Sequence, residues 1–279
     1  MSKIGLGTVQ FGITYGLNSK SAPSDETILA ILNAAQTKGI NVLDTSFGYG
    51  DAENVIGRTG LAPHFSIVSK FSTRSESALS SFETSINRLN VKTLYGYLVH
   101  YFDLYKENKS IWNDFLRLRD EKRVSKIGFS IYDAEELEVL LHDNVDFDII
   151  QIPYSILDTE FSPYLKVLKD RGVEVHVRSV FLQGLIFKEA ADLPPALSSL
   201  ADYLKTIKKI AEEKQISIGE LALNYVINNP YIDKVILGVH SLEQFERNLR
   251  SVRAFSFDDV YIPIREKDKN LLKPKNWKL

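Results

Sequence analysis

Cysteine is absent from the 279 residues and methionine occurs once. Disulfides, thiolate metal or iron–sulfur sites and a cysteine nucleophile are therefore excluded. Long apolar runs are missing too: nothing approaches the ~18 consecutive apolar residues that cross a bilayer. The start, MSKIGLGTVQFG, has no basic stretch leading into an apolar one, so no signal peptide is expected. Neither charge sign dominates. The 34 basic residues against 36 acidic leave a net charge of −2, which argues against a nucleic-acid or anionic-membrane partner. The 15 glycines and 9 prolines are scattered, and no linker, low-complexity tract or fixed-period repeat emerges. These absences leave a cytoplasmic protein acting on a small molecule as the expectation. The length admits one large domain or two small ones.

What the chain does have is alternation. Short runs rich in Val, Ile and Leu recur at Lys3–Thr8, Ile40–Thr45, Ser66–Lys70, Gly96–His100, Lys126–Ser130, Asp148–Ile152, Val173–Ser179 and Lys234–Val239. They are continuously apolar, as expected of parallel strands covered on both faces. Amphipathic, helix-like segments separate them: Ser24–Lys38, Asp51–Thr59, Ser75–Leu89, Ser110–Lys122, Ala134–His142, Phe161–Lys169, Leu200–Lys214, Ile218–Asn228 and Ser241–Arg250. Ser24 followed by Asp25 and Glu26, and Ser241 followed by Glu243, read as helix starts. Eight strand–helix units fit a (β/α)8 barrel, read as one domain over residues 1–279. A doubly wound sheet fits less well, because Gln10 stands where a dinucleotide fingerprint needs its third glycine.

In such a barrel the chemistry sits at the C-terminal strand ends. Strand two ends in Asp44, with Tyr49 five residues on; strand three ends in Lys70; strand four ends in His100. Each has an ordinary reading: a helix cap, one of 13 tyrosines, a solvated lysine, a core histidine. Their convergence on one mouth is harder to dismiss. A tyrosine titrates near pH 10, and a neighbouring ammonium favours its phenolate. Lys70 can supply that charge, Asp44 can hold Lys70, and His100 can donate to a carbonyl oxygen. The set suits carbonyl reduction with a proton delivered beside a developing oxyanion.

On these residues, within DTSFGYGDAE, IVSK and YLVHYFD, the chain resembles the aldo-keto reductase superfamily from GLGTVQFG to VILGVHSLEQFERNL. The resemblance implies an NADP-dependent oxidoreductase that passes the pro-R hydride of NADPH to an aldehyde or ketone, with Tyr49 as proton donor, Lys70 and Asp44 tuning it and His100 orienting the carbonyl. NAD is the alternative cofactor. By the same resemblance Ser130 and Gln151 would contact the nicotinamide carboxamide, although Ile131 replaces the family's usual Asn. Arg178 would stack on the nicotinamide ring in place of an aromatic residue. Ser179, Gln183 and Gly184 would cover the pyrophosphate. Gly238, Ser241, Gln244 and Asn248 match the adenosine end, where His240 or Arg247 would supply charge for a 2′-phosphate.

Two departures from the family are expected. Strand one is reached by Lys3, which leaves no N-terminal β-hairpin plug, and the tail Val252–Leu279 is short and lysine-rich. The mouth would then be lined by Gln10, Tyr15, Asn18, Tyr101 and Tyr154, mixed polar and aromatic, suited to a sugar or other hydroxylated carbonyl. Trp277 and Tyr261 would anchor the tail rather than close the pocket. Rival readings are a Schiff-base aldolase using Lys70 and a nucleotide-binding regulatory subunit of low turnover. No paired-histidine spacing at a strand end suggests a metal.

Overall fold

Apolar strands that must be covered on both faces close into a ring when helices surround them, and that is the architecture. The computed structural model describes residues 3–17, 21–253 and 260–277. Eight strands form it: β1 Ile4–Gly7, β2 Val42–Asp44, β3 Ser66–Phe71, β4 Leu94–Val99, β5 Val124–Ser130, β6 Ile149–Pro153, β7 Glu174–Arg178 and β8 Lys234–Gly238. They pair in chain order, all parallel, and β8 closes on β1. Around them run α1 Val9–Gly12, α2 Asp25–Thr37, α3 Ala52–Arg58, α4 Ala78–Leu89, α5 Phe102–Glu107, α6 Ile111–Asp120, α7 Ala134–His142, α8 Ser162–Asp170, α9 Ala201–Glu213, α10 Ile218–Ile227 and α11 Leu242–Arg250.

Val42, Val68, Leu98, Ile149 and Ile236 make a small apolar layer inside the ring. Neighbouring β5 and β6 approach so closely that a Cβ on Gly128 would lie 1.7 Å from the Ile149 carbonyl oxygen, so only glycine fits there. The large core lies between strands and helices. A second core packs the long β7–β8 connection against the tail, through Leu182, Leu185, Leu200, Leu221, Ile262 and Leu272.

Local chemistry sets the helix starts. Ser77 Oγ accepts from Ser80 N at 3.1 Å, so α4 begins at Ala78 rather than at Ser75. Ser217 and Glu220 cap α10 reciprocally, as Asp133 and Glu136 do α7. The β2 ladder is three residues long, shorter than its apolar run. Two short helices, α1 and α5, carry no sequence period long enough to read. Among the described residues no helix is long and apolar enough to cross a membrane.

A polar cluster fills the ring toward the N-terminal strand ends. Glu174 accepts from Tyr95 Oη at 2.6 Å and pairs with Lys126, and its other oxygen lies 2.7 Å from His176 Nε2. Burial pushes Glu174 up, but the hydrogen bonds from His176, Lys126 and Tyr95 more than offset it and hold its carboxyl well below the usual range.

Candidate active site

The C-terminal strand ends bring Asp44, Tyr49, Lys70 and His100 together. Asp44 is seated by its own backbone: Thr8 donates to its carbonyl from N at 2.9 Å and from Oγ1 at 3.0 Å. Lys70 is wholly buried. Its Nζ lies 2.8 Å from both Asp44 oxygens and 2.8 Å from the Thr45 carbonyl, and 3.5 Å from Tyr49 Oη. Such an amine has no free lone pair and is poorly disposed to form the Schiff base of an aldolase. Gln151 Nε2 donates to Asp44 Oδ1 at 2.6 Å, which completes the carboxylate's partners.

Tyr49 is held through its backbone. Its N–H donates to the Ser46 carbonyl at 3.0 Å, and its carbonyl accepts from Ala52 N at 3.1 Å. The end of α1 presses against this turn so closely that a Cβ on Gly12 would sit 1.8 Å from the Tyr49 oxygen. His100 stacks on Tyr101 at 4.4 Å and meets the Tyr49 ring edge-on at 5.5 Å. Its Nδ1 is 3.0 Å from Ser46 Oγ. That hydroxyl already accepts from Gly48 N, and its other acceptor, the Lys70 carbonyl, is farther, at 3.4 Å. The hydroxyl proton is thus assigned to Nδ1, which places the imidazole proton on Nε2.

Burial governs the proton affinities. It raises Tyr49 well above the ordinary phenol value, with the Asp44 charge adding to it. The expectation that Lys70 pulls Tyr49 down is thereby corrected, because burial of the phenol, with the Asp44 charge beside it, sets the direction. Burial also lowers Lys70, against the pull of Asp44. His100 is pushed well below its ordinary value by burial, then by Lys70 and Arg178. At neutral pH the site therefore holds a protonated tyrosine and a neutral imidazole.

A cleft runs from this cluster across the barrel top. Arg178, Ser179, Gln183, Gly184, Gly238, His240 and Gln244 line it, together with Gln10 and Tyr15. Thr8, Val180, Phe181, Phe187 and Leu237 line it as well. Ser130, the last residue of β5, pairs with Gln151 in the middle of β6, and both are buried and do not line the cleft. Ser241 caps α11, its Oγ accepting from Gln244 N at 3.1 Å. Arg247 is exposed on the same helix and Asn248 half-buried. His240 is lowered by burial, and Arg247 carries its charge in the last turn of α11, outside the cleft lining. Gln183 Nε2 donates to Tyr15 Oη at 2.9 Å and its carbonyl accepts from Leu17 N at 3.1 Å, bridging the cleft. Ser179, Leu182 and Gln183 all take left-handed φ values, 66°, 45° and 54°, which side chains seldom adopt.

Three expectations about the mouth change. Tyr154 turns away from it: its ring stacks on Tyr225 and its hydroxyl lies 3.1 Å from Ser162 Oγ. Trp277 does anchor the tail, its Nε1 donating to the Leu271 carbonyl at 2.7 Å, whereas Tyr261 is 76 % exposed and anchors nothing. Asn18 lies outside the described residues. Arg178 already has its guanidinium 3.9 Å over the Tyr132 ring, with Nη2 donating to the Ile131 carbonyl at 3.0 Å, so one face is occupied.

Gln151 Oε1, Gln10 Oε1 and Asn248 Nδ2 are buried polar atoms without a protein partner. At Gly238 a Cβ would lie 2.4 Å from the Gln10 side chain, so the wall is cut back to backbone.

The sequence profile described as Aldo/keto reductase family matches residues 3–266. L-Galactose dehydrogenase of Arabidopsis thaliana is 25% identical over 280 residues, 90% of this chain and 84% of that protein. Glyoxal reductase of Bacillus subtilis is 25% identical over 226 residues, 76% and 73% of the two chains. Among solved structures, the holo form of a Bacillus halodurans aldo-keto reductase superposes with a TM-score of 0.76 at 21% identity, covering 97% of this chain and 91% of that one. A Klebsiella pneumoniae aldo-keto reductase in complex with NADPH gives 0.70 at 22%, covering 98% and 92%.

Proposed function

The chain belongs to the aldo/keto reductase family, and from that premise we propose that it is an NADP(H)-dependent reductase of an aldehyde or ketone, with Tyr49 as the proton donor. One observation carries the reading: Tyr49 Oη stands 3.5 Å from a buried ammonium that a carboxylate holds in place, and beside a neutral imidazole. A carbonyl oxygen placed there accepts from Tyr49 Oη and from His100 Nε2. When bound, the nicotinamide supplies the hydride. As the carbonyl oxygen gains charge it takes the Tyr49 proton, and the phenolate left behind is stabilised by Lys70. Asp44 and Gln151 keep Lys70 aimed, and Ser46 sets the imidazole proton on the side facing substrate. The raised Tyr49 pKa keeps the acid loaded between turnovers.

For the cofactor, Ser179, Gln183 and Gly184 would cover the phosphates and Gly238 would let the nucleotide approach backbone. The unpartnered Gln151 Oε1 is a ready acceptor for a carboxamide N–H. Ser241 and Gln244 at the α11 start, with Arg247, favour a 2′-phosphate through the helix N-terminus and a fixed charge, hence NADP over NAD. The relatives that act on L-galactose and glyoxal, by their names, are consistent with a small hydroxylated or polar carbonyl substrate.

The test is a fluorescence titration with NADPH and NADH, followed by absorbance assays across aldehydes and sugars. Tyr49→Phe is expected to bind NADPH normally and lose about 10²–10⁴-fold in turnover. Full activity in that variant would remove Tyr49 from its role. Tight NADPH binding with no aldehyde-dependent oxidation would favour the regulatory-subunit reading instead.

A further inference from the structure

Arg178 is the one permanent positive charge that lines the cleft, and nothing in the chemistry above uses its charge. It ends β7 opposite Pro153, on the rim that also carries Asp44 and Tyr49. Among the described residues no carboxylate lies within ion-pair distance of it. Asp158 feels its charge but is buried and hydrogen-bonded within its own loop, with Glu160 N donating to Oδ1 at 3.4 Å. A half-buried guanidinium without an acid is unusual, because desolvating a charge is costly unless something pairs with it.

The guanidinium is also held still. Its face packs on Tyr132 and one N–H goes to the Ile131 carbonyl, which leaves most of its five donors unspent. The other face of that support is braced from the tail: Lys275 Nζ lies 4.3 Å from the Tyr132 ring centroid. Lys275 is paired with Asp133 at 3.1 Å. Lys273, nearly buried, bridges Asp133 and Glu160 and pins the same segment. A cation fixed in this way, beside a proton donor and lacking an anion, is a prepared receptor for one.

We propose that Arg178 is a specificity-determining residue, and that the carbonyl substrate carries a carboxylate which it receives while the carbonyl group lies at Tyr49 and His100. The inference rests on the reductase reading and narrows its substrate to a carbonyl acid. A planar two-oxygen anion matches the remaining donor edge of the guanidinium, and the charge steers the anion into the cleft.

The experiment compares para-carboxybenzaldehyde with its methyl ester, which keeps the ring and the aldehyde but not the charge, and reads the acid-to-ester ratio of each variant against that of the parent. The wild-type enzyme is expected to prefer the acid in kcat/KM. Arg178→Met should lose roughly 10- to 100-fold more in kcat/KM on the acid than on the ester, a difference that persists after both rates are corrected for any change in NADPH affinity read by fluorescence. Arg178→Lys should recover part of the acid activity, since it restores charge without the fork. Equal losses on both aldehydes, or a loss of NADPH affinity that accounts for the loss in rate, would assign Arg178 to the cofactor and overturn the proposal. A wild-type enzyme indifferent to the charge would overturn it too. If wild-type protein binds NADPH yet reduces neither aldehyde nor any neutral carbonyl, the reductase reading itself falls.

Discussion

The two ends of the barrel hold the same kinds of side chain in different arrangements. At the C-terminal end are Asp44, Lys70, Tyr49 and His100; toward the N-terminal end are Glu174, Lys126, Tyr95 and His176. At the lower end tyrosine, lysine and histidine all converge on the single carboxylate, which spends every one of them on it. At the upper end lysine and Gln151 saturate the carboxylate, the tyrosine lines the cleft and the histidine bonds to Ser46 instead. Composition does not separate a reactive cluster from an inert one. What separates them is whether a donor is left over once the acid is satisfied.

That contrast can be broken by substitution. Lys70→Met strands Asp44 as a buried, unpaired charge, for which a loss of about 3–5 kcal/mol is expected in denaturant melts, along with most of the reductase activity. The matching change below, Lys126→Met, removes a partly exposed partner and should cost about 0–1 kcal/mol with kcat/KM intact. If both variants lose activity alike, the two ends are not functionally distinct. Glu174→Gln sharpens the point. Because the folded carboxyl sits below its unfolded value, the ionised form contributes stability above about pH 4 that is lost as the pH falls further. The variant should be less stable at neutral pH by roughly 1–3 kcal/mol, and its stability should fall less steeply on acidification than that of the parent. An unchanged acid limb would show that Glu174 is not held low. The smallest effect is an absence: with Tyr49 raised and His100 lowered, kcat/KM for reduction should stay level from about pH 6 to about pH 9. A limb near neutrality would show that one of the two titrates there.

Much of this was legible from residue order. Eight apolar runs gave eight strands, because a strand covered on both faces must be apolar throughout. The positions of Asp44, Lys70 and His100 followed from the rule that chemistry gathers at C-terminal strand ends. What local pattern could not show were the partnerships. Gln151 reads as a cofactor contact from its strand end, yet its amide is turned to Asp44 across 107 residues of sequence. Tyr154 sits at an equivalent end and packs outward, since a one-residue shift in register reverses the face. Ser46 lies inside the quoted motif, but its role depends on His100, which only the fold brings near. The direction of the Tyr49 shift depended on how deeply the phenol is buried, with the Asp44 charge adding to it, and burial is a property of the fold rather than of spacing.

The brace on Tyr132 has an evolutionary consequence. Lys275 belongs to a segment that takes no part in the β-ladder and is held to the barrel by other residues, the buried Val260, Ile262, Asp268, Leu272 and Lys273. Yet one aromatic ring is all that separates it from Arg178. Lineages that drift in this segment would change what enters the mouth while the barrel stays as it was. A mutagenesis library centred on Lys275 and sparing the buried Val260, Ile262, Asp268, Leu272 and Lys273 would explore new substrates at small expense to the scaffold.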